Sequence, residues 1–246
     1  MINILILAAN DFHDDRDSGY PLGLSEVDGK ILLQHVTEQC NSIPDARLTL
    51  AVSEQDCKRW HLDNVVRLLS PEANVVQIRR TTSGAACTAL LAISDFASED
   101  PLLIVNGNEL IDVDFNAVIS TFMEAQYDAG VVIFPSVHPR YSYVRLNAEG
   151  LVVECAEKNP ISNHATVGFY WFRRGKDFVQ SAQQTILKHA HVDGKYYICP
   201  TMNEMVLRQA RIGAHPIAAQ QFHPLKSERQ FEQFDASRHA NAKEGV

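Results

Sequence analysis

The sequence predicts an α/β fold built on a doubly wound, mostly parallel sheet flanked by helices. Three observations predict it. Residues 2–9 (aliphatic but for Asn3) and 102–105 are aliphatic runs of strand length, as in strands buried on both faces. Between such runs lie stretches with apolar residues at helical spacing, so strand and helix candidates alternate up to about residue 125. Polar turns follow the runs at their carboxyl ends, which is where open α/β sheets bind ligands.

Residues 2–9 form the first strand, and residues 10–20 (NDFHDDRDSGY) turn abruptly polar as the loop at its end. Residues 21–30 (PLGLSEVDGK) lead into an amphipathic helix over 31–40, where Ile31, Leu32, His35 and Val36 share a face. A strand is expected over 47–52, a helix over 56–69 through Trp60, Val65, Val66 and Leu69, and a third short strand over 74–78. Residues 81–96 (TTSGAACTALLAISDF) open with small residues and become an alanine- and leucine-rich helix. Their Thr-Thr-Ser start offers caps, and free N–H groups at such a start suit an anion.

The stretch 101–115 (PLLIVNGNELIDVDF) then ends a buried strand on the turn Asn106-Gly107-Asn108, followed by Glu109, Asp112 and Asp114. Asn-Gly also simply turns chains. Beyond residue 130 the character changes to short strands at 131–135, 141–146, 152–156 and 167–173, which predicts antiparallel additions. Helices over 177–190 and 196–210 and a strand over 213–218 follow. One domain over 1–235 and a polar tail over 236–246 are expected.

With 246 residues, 46% of them hydrophobic, the chain can bury a core without a disulfide or metal staple. A net charge of −8 argues against nucleic acid as a partner, since no broad cationic face is available for phosphate backbones. The five cysteines (40, 57, 87, 155 and 199) are scattered with no C-x-x-C pair, so neither a disulfide framework nor a zinc site is suggested. Free thiols suit a reducing, cytoplasmic setting. The apolar amino terminus is too short to span a membrane and has no basic leader, so no membrane association is expected.

Six segments stand in a telling order: Leu7-Ala8-Ala9-Asn10, then residues 21–31 (PLGLSEVDGKI), Ser83-Gly84-Ala85-Ala86, Ile104-Val105-Asn106-Gly107-Asn108, residues 152–160 (VVECAEKNP) and Gly168-Phe169-Tyr170-Trp171-Phe172. Together they resemble the sugar-phosphate nucleotidyltransferases, the NDP-sugar pyrophosphorylase-like family, over nearly the whole chain. The corresponding family patterns are L-A-A-G-x-G-[ST]-R, P-K-P-L-x-E-V-x-G-K-P, G-x-A-x-A, L-V-x-N-G-D, V-x-E-x-x-E-K-P and G-x-Y-x-F. The resemblance implies a Rossmann-like (GT-A-type) fold. It also implies transfer of a nucleotidyl group from a nucleoside triphosphate to a sugar phosphate or similar phosphate ester, with pyrophosphate released, in surface polysaccharide biosynthesis. A homo-oligomer is compatible with it, and no stretch of the sequence demonstrates one.

Such a reaction brings two anions together, so catalysis is largely charge neutralisation and positioning. The resemblance assigns the phosphates to Lys158 and, with shifted spacing, to Arg16, both as catalytic candidates. It assigns the nucleotide or sugar to Ala8, Ala9, Asn10, Gly84, Asn106, Gly107, Asn108, Glu157 and Gly168. Each has a plainer alternative. Glu157-Lys158 can also be read as a solvated pair at a strand end, Gly84 as helix packing, and Arg16 as a loop salt bridge. The family cofactor is Mg²⁺ held by carboxylates.

The sequence departs from the family pattern in a consistent direction. Asn10 replaces a loop glycine beside Asp11, Asp14 and Asp15, Leu22 replaces a lysine, and Asn108 replaces a metal-binding aspartate. The second metal aspartate falls within 223–227 (HPLKS), where no carboxylate stands. No metal ligand is therefore assigned. Asp112 and Asp114 have the D-x-D spacing of metal-dependent glycosyltransferases, but Asp114 also stands where a helix would be capped. Three readings follow: an active nucleotidyltransferase with altered loop chemistry, a non-catalytic relative binding a nucleotide or sugar nucleotide as a partner subunit, or a GT-A glycosyltransferase-like protein.

Overall fold

The computed structural model describes residues 1–9, 20–92, 96, 98–227, 229–232 and 234. In chain order it contains β1 (Ile2–Leu7), β2 (Glu26–Val27), β3 (Lys30–Ile31), α1 (Leu32–Asn41), β4 (Ala46–Ser53), α2 (Glu54–Trp60), α3 (Leu62–Leu69), β5 (Asn74–Ile78), α4 (Ala85–Leu91), β6 (Leu102–Asn106) and β7 (Glu109–Ile111). The second half adds α5 (Phe115–Glu124), β8 (Ala129–Pro135), β9 (Ser142–Leu146), β10 (Val152–Glu157), β11 (His164–Phe172), α6 (Gly175–Leu187), α7 (Ile198–Thr201), α8 (Asn203–Val206), β12 (Ile212–Pro216) and β13 (Phe222–Pro224).

Among the described residues, nine strands make one sheet in the order β10-β9-β11-β6-β1-β4-β5, with β8 on β11 and β12 on β8. The pairs β1–β4, β1–β6, β4–β5 and β8–β12 are parallel, whereas β11 runs antiparallel to β6, β8 and β9. The mixed, mostly parallel α/β fold expected from the sequence is the one observed. β1 is buried along its whole length because helices cover both faces of the sheet. Ile2, Ile4 and Ile6 pack with α1, α3 and α5, and Leu5 and Leu7 with α4, α6 and α7.

The parallel strands run outward from β1 in two directions, to β4 and β5 on one side and to β6 on the other. The carboxyl ends of β1 and β6 are therefore the topological switch point of the sheet, the crevice where doubly wound folds bind ligands.

Several elements differ from expectation for identifiable reasons. The helix expected over 56–69 divides into α2 and α3 at His61, which is left-handed (φ 53°) and gives its N–H to Cys57 O at 3.1 Å, a helix stop. The helix expected to follow the small residues 81–84 begins at Ala85, after Gly84 at φ 111°. No Thr or Ser side chain caps it, since Thr82 Oγ1 instead meets Gly84 O and Thr88 Oγ1. The helix expected over 196–210 is two four-residue turns, α7 and α8, and Pro200 removes an amide donor from the first. Two small ribbons, β2–β3 and β7–β13, were not anticipated. Leu22 is 6% exposed and belongs to the core beside Leu33 and Val36, so it serves as a hydrophobic anchor.

Candidate functional site

The switch point assembles four of the expected residues. The N–H of Gly107 donates to Leu7 O at 2.8 Å, and a Cβ on Gly107 would stand 3.0 Å from that oxygen and 3.1 Å from Ala8 Cβ. Ala8 is fixed in turn by its N–H to Ala51 O at 2.9 Å, so Ala8, Ala9, Asn106 and Gly107 form the floor of the crevice. Asn10 and Arg16 lie outside the described residues.

Gly168 closes one side. It falls within the stretch where the β8–β11 register shifts, between Thr166 and Tyr170, and its N–H turns to Glu109 Oε2 at 2.7 Å. A Cβ there would stand 2.2 Å from Asn106 Nδ2 and 2.5 Å from Glu109 Oε2. Only glycine admits these two side chains.

Glu109 is the centre that the sequence did not assign. Its side chain is 4% exposed, and its second oxygen is ion-paired with Lys226 Nζ. The antiparallel β7–β13 ribbon and the Leu225 N–H to Asn108 O bond of 2.9 Å deliver Lys226 to this position. Burial alone would lower the Lys226 pKa, and the Glu109 carboxylate overrides it, so the ammonium is held above its ordinary range. Asn108 itself is buried (4%) and neutral.

Glu157 adds a second buried carboxylate. Burial pushes its pKa above the usual range, opposed by the Ser142 hydroxyl that donates to Oε2 and by the nearby ammonium groups of Lys158 and Lys226. Lys158 follows at a left-handed φ of 54°, its own N–H bound to Tyr141 O at 3.0 Å. Its ammonium lies 5.5 Å from the Tyr197 ring centre and 3.6 Å from Asp193 Oδ2. The Tyr197 hydroxyl, then the two carboxylates nearby, hold its pKa above the ordinary lysine value.

Gly84 is explained by packing. A Cβ would meet Tyr196 O at 2.4 Å, and the Ala86 N–H already donates to that oxygen at 3.0 Å. The amide at the start of α4 expected to be free for an anion is thus occupied. This contact sets Tyr196 against the start of α4.

The donor set among the described residues does not fit a divalent ion; Asp11, Asp14 and Asp15 of the loop after β1 lie outside them. Among the described residues no group of three or more His, Cys, Asp or Glu stands together as a metal site. Asn108 carries no charge, and both Glu109 oxygens are engaged. Asp114 is the N-cap of α5, accepting from Asn116 N at 2.9 Å and Ala117 N at 3.2 Å, and Asp112 meets His223 Nε2 at 2.9 Å. The D-x-D spacing is therefore a helix cap and a surface pair.

The sequence matches the Nucleotidyl transferase family over residues 29–210. The chain belongs to that family. Among curated proteins, the chain is 26% identical over 158 residues to the UTP–glucose-1-phosphate uridylyltransferase AglF of Haloferax volcanii, a match covering 62% of the chain and 63% of that relative's length. A nucleoside-diphosphate-sugar pyrophosphorylase of Vibrio cholerae superposes with a TM-score of 0.77 at 19% identity, over 96% of this chain and all of that one. A UDP-glucose pyrophosphorylase solved with UDP-glucose superposes at 0.78 and 15% identity, over 98% and 100%. At these identities the structural likeness establishes the shared fold. No helix among the described residues is long and apolar enough to cross a membrane.

The signal for Gly168, Asn106 and Gly107 was motif spacing. Glu109 and Lys226 are 117 residues apart in sequence and belong to no expected element, so only the fold joins them.

Proposed function

We propose that the crevice at the ends of β1 and β6 binds a nucleoside triphosphate or a nucleotide sugar together with a phosphate ester. The reaction is transfer of the nucleotidyl group to a sugar phosphate with release of pyrophosphate. The observation that carries this reading is the convergence of a glycine-lined floor (Gly107, Gly168) with two ammonium groups, Lys158 and Lys226, at the switch point of a nucleotidyl transferase fold. Close backbone approach suits a flat base and sugar, and the ammonium groups suit phosphate oxygens. Lys158 would meet the phosphate of the ester, and Glu157 the sugar hydroxyls. The product would supply glycosyl transfer in surface polysaccharide assembly, in the cytoplasm.

A second reading is supported by one observation. Lys226 occupies Glu109 and Asn108 is neutral, which removes the charge complement of a divalent ion and favours binding of a nucleotide sugar without turnover. Two measurements separate the readings: calorimetric titration with UTP and with UDP-glucose, and pyrophosphate release from UTP plus glucose 1-phosphate, each repeated across the other bases. Pyrophosphate release supports transfer, binding of UDP-glucose without release supports the second reading, and no binding of any nucleotide or nucleotide sugar removes both.

A further inference from the structure

The mismatch between the donor set and a divalent ion has a positive counterpart in Lys226. Its backbone is fixed from three sides. β13 pairs with β7, Leu225 N–H binds Asn108 O at 2.9 Å, and its own N–H binds Gln230 Oε1 at 2.8 Å. Its ammonium lies against the 4%-exposed Glu109 carboxylate and within electrostatic reach of Glu157. An ammonium has three donor hydrogens, of which Glu109 takes one, and the Lys226 side chain keeps 36% of its surface exposed. The same side chain forms a wall of a cavity of about 950 Å³ whose lining also includes Arg140 and Arg229 and, among the described residues, no carboxylate. A fixed positive charge with spare donors therefore borders an open, cation-rich volume, and its counter-charge is held behind it.

We propose that Lys226 is the resident cation of this site: its ammonium meets the phosphate oxygens of the ligand, and the protein binds that ligand without a divalent ion. This rests on the reading of the crevice as a nucleotide or nucleotide-sugar pocket. A lysine at the end of an ordered strand, braced by a buried carboxylate, supplies a point charge that needs no recruitment from solution. Its single charge neutralises less than a divalent ion, and Arg140 and Arg229 extend the positive field along the cavity wall. Glu109 acts as a positioning residue, reaching the ligand only through Lys226.

The test is calorimetric titration of the wild-type protein with UDP-glucose and with UTP, in EDTA and again in excess Mg²⁺, together with Mn²⁺ binding followed by electron paramagnetic resonance. The expected result is equal affinity in EDTA and Mg²⁺, and a free-ion Mn²⁺ spectrum. Lys226→Met is expected to weaken binding in EDTA by about tenfold or more, and Lys226→Arg to restore most of it. The paired substitution Asn108→Asp with Lys226→Asp is expected to create Mn²⁺ binding. Wild-type binding that appears only with Mg²⁺ overturns the role of Lys226 and leaves the nucleotide pocket standing. Absence of binding under every condition overturns both. Unchanged affinity in Lys226→Met also overturns it, and the wild-type comparison needs no variant to fold.

Discussion

Gly168→Ala probes how tightly the crevice is built. A methyl at that position falls 2.2 Å from Asn106 Nδ2 and 2.5 Å from Glu109 Oε2, about 1 Å inside ordinary contact. Neither neighbour can yield freely. Glu109 is held by Lys226, and moving it breaks the 2.7 Å bond from the Gly168 N–H. Overpacking costs about 1–3 kcal/mol, and loss of a hydrogen bond to a buried carboxylate about 1.5–3 kcal/mol, so about 4 kcal/mol is expected in all. For a chain of this size that lowers the melting temperature by about 10 °C. The assay is reversible denaturant unfolding with a thermal melt. Gly23→Ala serves as the control, because its Cβ would meet nothing nearer than Leu33 Cβ at 3.6 Å. That variant should stay within about 0.5 kcal/mol of wild type. A Gly168→Ala protein no less stable than the Gly23→Ala control would refute the account of this corner of the site.

Three further variants test other parts of the account. Glu157 has its pKa raised by burial, so the folded state gains from its protonated form below the unfolded value of 4.5 and loses that contribution as pH rises through the raised value. Glu157→Gln, whose amide oxygen can still accept from Ser142, should therefore be more stable than wild type at neutral pH, with the difference vanishing toward pH 4.5, as read from urea midpoints across pH. Asp114→Ala should cost about 1 kcal/mol of stability as a lost N-cap while leaving nucleotide affinity untouched, and a loss of affinity would revive the metal-ligand reading. Leu22→Lys introduces an ammonium where a 6%-exposed leucine packs in the core, and should destabilise by about 3–5 kcal/mol, so restoring the family's lysine there would not restore charge to the site.

The parallel half of the fold was legible because its strands are sandwiched between helices, and burial on both faces writes itself as strongly aliphatic runs at β1, broken only by the buried Asn3, and at β6 up to Val105. The floor of the site was legible from motif spacing, and the structure gives the reason: a Cβ on Gly168 would collide at 2.2 Å, and one on Gly107 would be crowded at 3.0 Å. The helix breaks were less so. His61 stops α2 by adopting a left-handed conformation that its residue type does not announce, and Gly84 before α4 packs against Tyr196, more than 100 residues away. The Glu109–Lys226 pair was invisible for the same reason. Its energy arises from burial and from the β7–β13 ribbon, and three-residue strands leave almost no periodic signal.

The claim on which everything else depends is that the crevice binds a nucleotide sugar through the ammonium group that Tyr197 and Asp193 hold at its edge. Calorimetric titration of wild type and Lys158→Met with UDP-glucose tests it most directly. The account predicts saturable one-site binding to the wild-type protein and an affinity loss of about tenfold or more in the variant, the usual worth of a charge-assisted contact to phosphate. Equal affinity in the two proteins, or no binding to wild type by this or any other nucleotide sugar, would contradict it.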